Sequence, residues 1–211
     1  VPTMHSVGVG DVYNSVFISE LFKTDMEKRM RLAALCAAQY AETMDYKKFR
    51  DNVQLVHTNI SDLNELAGIR LPWTDRRDIN IYMAAPDFPN VDTSLLDRLS
   101  ECLLYHNFAP RLPIRENGIA SKTMSFGEKL NLYYKDIALM HESDLLIAIL
   151  LYNDPGTLVE LGMFKQVGKP TILFDPFNCC ENMFVLYTPD YVCKNIADVI
   201  DAVYLCLGKE R

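Results

Sequence analysis

Basic charge is scarce in this sequence, histidines are few and long apolar runs are missing, and each shortage narrows what the chain can do. Lysine and arginine number 21 against 28 acidic residues, for a net charge of −7. Nucleic-acid backbones are bound by clustered basic side chains, so no nucleic-acid partner is expected. No apolar stretch approaches the ~20 residues of a membrane-spanning helix, and no membrane partner is expected either. The four histidines (His5, His57, His106 and His141) and the six cysteines (Cys36, Cys102, Cys179, Cys180, Cys193 and Cys206) lack metal-ligand spacing, and no CxxC occurs. A chemistry without metal or cofactor is the expectation. Cys36, Cys102 and Cys206 fall on apolar helical stretches and read as reduced core thiols. With no secretory leader in sight, a cytoplasmic location follows. The chain opens on Val1 rather than methionine, which reads as a fragment of, or a product cleaved from, something longer.

What is present is ample material for a core: hydrophobic residues make up 49% of 211 positions, enough for one medium domain plus an appendage. The best-organised stretch spans 134–170. Residues 144–151, DLLIAILL, form an apolar run that suits a strand buried on both faces. Asn153-Asp154-Pro155-Gly156 is a dense turn signal, after which Thr157 is expected to open a helix with Leu158, Leu161 and Phe164 at helical spacing. A second apolar run, TILFD, follows Pro170. The turn thus lies at the carboxyl end of a parallel strand, where open α/β sheets form ligand crevices. Two acids reach that place, Asp154 from the turn and Glu160 from the expected first helical turn. Both also have structural readings: Thr157-x-x-Glu160 fits a capping box, and Asp154 before Pro-Gly fits an ordinary turn.

The order Asp136, Ser143-Asp144, Asp154-Pro155-Gly156-Thr157, Glu160-Leu161-Gly162 and Gly168-Lys169-Pro170 resembles the core of the nucleoside 2-deoxyribosyltransferase family. Ile81-Tyr82-Met83-Ala84-Ala85-Pro86 resembles that family's first strand and turn. The resemblance covers about two-thirds of the chain, from position 78 onward. It implies an α/β fold with a flavodoxin-like parallel sheet, helices on both faces, and a small helical segment ahead of it. It also implies catalytic roles for Glu160 as nucleophile, Tyr82 as the phenol that orients it, and Asp136 as the acid that handles the nucleobase proton. Asp154 would bind the sugar 5′-hydroxyl, with Gly156, Asp87 and Phe88 as further substrate-binding positions. Asn182 and Met183 would be lent to a neighbouring subunit's site in a homo-oligomer. The partners implied are a small-molecule deoxynucleoside and a free nucleobase, and the setting is nucleotide salvage.

Three divisions follow: 1–44, 45–77 and 78–211. In the first, Gly8-Val9-Gly10-Asp11 runs into an apolar helical stretch. This resembles the C-terminal end of PfkB-type, ribokinase-like sugar kinases, although Val9 and Val16 depart from that signature. Lacking the large α/β body of such kinases, the segment is expected to have no kinase activity of its own. Residues 45–77 read as a linking region with a short helix over 61–67. The polar stretch 114–125 reads as a loop covering substrate.

Cleaving an N-glycosidic bond needs a nucleophile or water at the anomeric carbon and a proton for the departing base, and paired carboxylates serve both needs. The expected function is transfer of 2′-deoxyribose between nucleobases of free deoxynucleosides through a deoxyribosyl–Glu160 intermediate. Two alternatives compete: N-glycoside hydrolysis of deoxynucleosides or their 5′-monophosphates, and a non-catalytic module fused to a sugar kinase.

Overall fold

The structure, a computed structural model, describes residues 3–58 and 69–210. The chain divides into two compact units, Val1–Gly68 and Ile69–Arg211. The short helix expected over 61–67 lies outside the described residues.

The first unit holds α1 (Val9–Ser19), α2 (Met26–Ala41) and α3 (Tyr46–Thr58). Gly8 precedes α1 with φ 81°, and a Cβ there would stand 3.1 Å from the Tyr40 hydroxyl, so both conformation and space call for glycine. Asp25 caps α2 by accepting a hydrogen bond from the Lys28 amide at 2.9 Å. A small apolar cluster centres on Leu32 and Cys36, with Val12, Val16, Val53 and Val56 packed around it. The expected linking region 45–77 therefore opens with a helix of 13 residues whose valines enter a core.

In the second unit come β1 (Ile69–Arg70), α4 (Trp73–Arg76), β2 (Asn80–Ala84), α5 (Ser94–Tyr105), β3 (Ala109–Arg111), α6 (Pro113–Asn117) and α7 (Phe126–Glu142). After these follow β4 (Leu145–Ile149), α8 (Pro155–Gln166), β5 (Thr171–Phe174), α9 (Met183–Tyr187), β6 (Tyr191–Cys193), α10 (Ile196–Leu207) and β7 (Lys209–Glu210). Five strands form one parallel sheet in the order β3-β2-β4-β5-β6, the flavodoxin-like arrangement; β1 and β7 pair separately and antiparallel. The connection from β2 runs outward to β3 and then returns to β4 on the other side. A crevice opens where the chain changes direction, between the carboxyl ends of β2 and β4.

Strand alternation sorts the side chains into two cores. Ile81, Met83, Leu145, Ile147, Ile149, Ile172 and Phe174 pack with residues of α5 and α10. Tyr82, Ala84, Leu146, Ala148 and Leu173 point the other way and pack with Leu139 and Met140 of α7 and Leu161 and Phe164 of α8. Burying each large apolar side chain contributes about 1.5–3 kcal/mol, so both faces help fix the register. Slipping β2 by one residue would exchange its two faces. Tyr82 is thereby held on the α7/α8 side of the sheet.

One local expectation changes. The polar stretch 114–125 is not all loop, because α6 occupies its start. Pro113 supplies the first helical position, and the Glu116 carboxylate reaches back to accept from the Leu112 amide at 3.0 Å. Among the described residues no helix is long and apolar enough to cross a membrane.

Candidate active site

The turn after β4 is organised by Asp154, not by Thr157. Asp154 is the N-cap of α8: its Oδ2 accepts from the Thr157 amide at 2.8 Å and from the Thr157 hydroxyl at 3.0 Å. The expected Thr157–Glu160 capping box is absent, since Thr157 is itself inside the helix. Glu160 sits in the second turn of α8 rather than the first, and its carboxylate makes a different contact. The Tyr82 hydroxyl donates to Glu160 Oε1 at 2.8 Å across 78 residues of sequence.

Gly156 suits a close approach. A Cβ at that position would lie 3.0 Å from Asp154 Oδ2, so any side chain would push on the capping carboxylate. Asp154 Oδ1 has no partner among the described residues, and Asp154 lines a cavity of about 290 Å³. Asp136, Gly156, Glu160 and Phe88 line the same cavity. Asp136 comes from α7, where its Oδ1 accepts from the Asn117 side-chain amide at 2.8 Å.

Electrostatics separates the acids. Burial pushes Glu160 up from an ordinary 4.5 to about 7; the Tyr82 hydrogen bond opposes this, and the charges of Asp136 and Asp154 add to it. The N-terminal end of a helix favours an ionised acid only within its first turn, so the dipole of α8 does not offset burial at this depth. Asp136 is raised as well, by burial, with the Asn117 hydrogen bond working against the shift. Tyr82 is raised far enough by burial and by Glu160 to stay a phenol, which leaves it a permanent donor.

Of the expected site residues, Tyr82, Asp136, Asp154, Gly156, Phe88 and Glu160 come together around this cavity. Asp87 is placed differently: it forms a two-point ion pair with Arg115, at 2.6 and 3.1 Å, so it tethers the β2 loop to α6. Asn182 and Met183 do not enter this cavity. Asn182 caps α9 and Met183 is exposed.

Several residues of the site were not anticipated. Lys129, Leu132 and Tyr133 line the cavity with Asp136, an i, i+3, i+4, i+7 stripe along α7 that helical periodicity could have supplied. Asn117 carried no such signal, because its position depends on the short helix α6. Arg111 is engaged by Glu116 at 2.6 Å, and Arg115 holds both Asp87 and Asp97. Among the described residues no group of histidines, cysteines and acids could hold a metal ion.

Residues 81–185 match the family model for nucleoside 2-deoxyribosyltransferase. No curated protein matches the chain. A crystal structure of a conserved protein from Enterococcus faecalis V583 is similar at 20% identity and a TM-score of 0.52, covering 61% of this chain and 99% of that one. A 2-deoxyribosyltransferase from the psychrotolerant bacterium Bacillus psychrosaccharolyticus is similar at 24% identity and a TM-score of 0.47, covering 57% of this chain and 89% of that one. The Enterococcus structure shares this fold. The matched segment begins in β2 and ends in α9, so it contains every residue gathered at the cavity. This match supports the nucleoside 2-deoxyribosyltransferase family for the α/β unit of the chain.

Proposed function

We propose that the second unit transfers 2′-deoxyribose from one nucleobase to another on free 2′-deoxynucleosides. The observation that carries the reading is the Tyr82–Glu160 hydrogen bond at the cavity wall. A helix-capping glutamate would face backbone amides. This one is largely buried, oriented by a phenol, and beside two further acids.

In this reading Glu160 attacks C1′ of the sugar while the C1′–N bond breaks and its electron pair passes to the departing base. Asp136, in its protonated form, delivers a proton to that base. The acceptor base then attacks C1′, Glu160 leaves as a carboxylate, and Asp136 recovers a proton from the acceptor. The competent state has one proton between the two acids. Burial raises both acids, the phenol of Tyr82 favours charge on Glu160, and in this reading the shared proton rests on Asp136 when the base binds. Asp154 has one carboxylate oxygen committed to capping α8 and one available for the 5′-hydroxyl.

Free nucleosides are favoured over 5′-monophosphates, because Arg111 and Arg115 are already paired with acids. A phosphate beside Asp154 would meet repulsion of about 4 kcal/mol per unit charge at ~4 Å and an effective dielectric near 20, before screening. Lys129 is the cation at the cavity wall that could offset this. Asn182 and Met183, on an exposed segment away from the cavity of their own chain, are assigned to a neighbouring subunit's site in a homo-oligomer. For the first unit we infer a kinase-like helical piece without phosphoryl transfer; Gly8 and Asp11 stand at the start of α1, and Asp11 is exposed.

Incubation with deoxyinosine, with and without adenine, tests the reading. Deoxyadenosine among the products supports transfer. Hypoxanthine release alone means hydrolysis, and no reaction means a non-catalytic module. Acid quenching without acceptor, followed by mass spectrometry, should find deoxyribose on the peptide containing Glu160.

A further inference from the structure

We propose that Asn117 is a positioning residue for the transfer reaction: its side-chain amide occupies Oδ1 of Asp136 and leaves Oδ2 as the oxygen that exchanges a proton with the nucleobase. The inference rests on the function proposed above and assigns a residue that neither the family match nor the sequence signals single out.

The geometry is specific. Asn117 Nδ2 stands 2.8 Å from Asp136 Oδ1, and Oδ2 has no partner among the described residues. An amide nitrogen cannot change its protonation state in the working pH range, so it donates at all times. A carboxylic acid whose Oδ1 already accepts a hydrogen bond carries its own proton on Oδ2. The amide therefore selects the oxygen and fixes the plane of the carboxyl group.

The platform beneath Asn117 is built to hold that contact. It is the last residue of α6, followed by Gly118 at φ 95°, ψ 176°, a backbone conformation that suits glycine and turns the chain away at once. Beside it, Glu116 reaches back to the Leu112 amide at the start of α6 and is bound to Arg111. In the middle, Arg115 reaches Asp87 at 2.6 Å on the β2 loop and Asp97 at 2.7 Å on α5. Such a short helix has little stability of its own, since helix nucleation is unfavourable. These side-chain contacts supply it, and they set Asn117 against Asp136 from three directions.

The test compares wild type with Asn117→Ala and Asn117→Leu in the full chain, by kcat/KM for deoxyinosine plus adenine across pH and by 13C NMR titration of the Asp136 carboxyl. Both variants should lose about a hundredfold in kcat/KM, a size typical of a misplaced reacting group. The loss should fall on kcat more than on KM. The Asp136 titration and the alkaline limb of the rate profile should move together to higher pH, because the donor that opposes burial is gone. A merely structural role would lower the amount of folded protein and leave the titration where it was. Unchanged titration and an unchanged profile in both variants would overturn the inference while leaving the transferase reading intact. Wild-type protein that transfers nothing would overturn the transferase reading itself, and with it this role.

Discussion

Two buried acids stand near the same edge of the sheet and have opposite fates. Asp175 follows β5, is fully buried, and is pulled below the ordinary carboxylate range. Burial alone would raise it, but Lys194 donates at 2.8 Å, the Cys179 amide at 2.9 Å, the Cys179 thiol at 3.3 Å and the Cys180 amide at 3.3 Å. Among the described residues Glu160 has one donor, the Tyr82 phenol, and two acids as neighbours, and it rises to about 7. Burial is common to both; the number and charge of the donors differ. Asp175 is thereby a fixed anchor for the loop after β5, and Glu160 keeps the unsatisfied basicity that a nucleophile needs.

The largest expected effect sharpens that contrast at Glu160. Glu160→Ala should reduce transfer by a factor of about 10³ or more in single-turnover rate, because removal of a covalent nucleophile is not compensated by its neighbours. Glu160→Gln should be as inactive yet more stable at alkaline pH. The folded state holds the Glu160 proton up to about 7 whereas the unfolded chain releases it near 4.5. Stability therefore falls as pH rises between those values, and a neutral amide removes the penalty, worth about 3 kcal/mol above pH 7. Denaturant titrations at pH 4 and pH 8 check this: a gain at pH 8 and none at pH 4 is expected.

Asp175→Asn should behave in the reverse sense. Its depressed value means that it adds stability above 3.8 and loses it as pH falls through the folded-state value. Taking the buried Asp175 carboxylate away from its donors and from Lys194, which is exposed, should cost about 1–3 kcal/mol at neutral pH, read from the same denaturant curves, with the difference from wild type shrinking in acid. An unaltered midpoint at pH 7 would break the comparison.

Tyr82→Phe removes the phenol donor from Glu160 and leaves the packed ring. Transfer should drop about tenfold to a hundredfold, and the acidic limb of kcat/KM should shift to higher pH, as a less stabilised carboxylate requires. A smaller effect is expected at the 5′ end. Deoxyadenosine should exceed its 5′-monophosphate more than tenfold in kcat/KM, since about 2 kcal/mol of residual repulsion suffices for that ratio. Equal values would mean that Lys129 reaches the phosphate, and Lys129→Met should then restore discrimination. Asp11→Asn, in the other unit, should leave transfer at the wild-type rate.

How much of this was readable in the chain depended on how local each signal was. The runs 144–151 and 171–175 announced β4 and β5 because strands buried on both faces are apolar throughout. Asp136, Asp154 and Glu160 were visible through a family resemblance, but the cap was misplaced. Thr157 and Glu160 carry the letters of a capping box, while Asp154 before Pro155 is the residue that closes the helix end. Helix α3 was read as linker because its stretch YKKFRDNVQLVHT is mostly polar, and its valines find their core only against another helix. The three residues of β6 gave no pattern of their own. Asn117 was hidden for the deeper reason that α6 exists through contacts with Asp87 and Asp97, distant in sequence.

The two-sided alternation of β2 acts as a reading frame. Tyr82 faces the cavity side because Ile81 and Met83 face the opposite core, so a deletion or insertion of one residue within 80–84 would deliver a methionine or isoleucine to Glu160 in place of the phenol. Past the strand, the loop that brings Ala85 and Phe88 to the cavity carries no such frame. Lengthening it or replacing it leaves the phase of the strand untouched. Descent with modification is therefore free to reshape the rim of the cavity while the acid at its floor keeps its partner, and a library designed to change which base is accepted should vary the rim and leave the five residues of β2 alone.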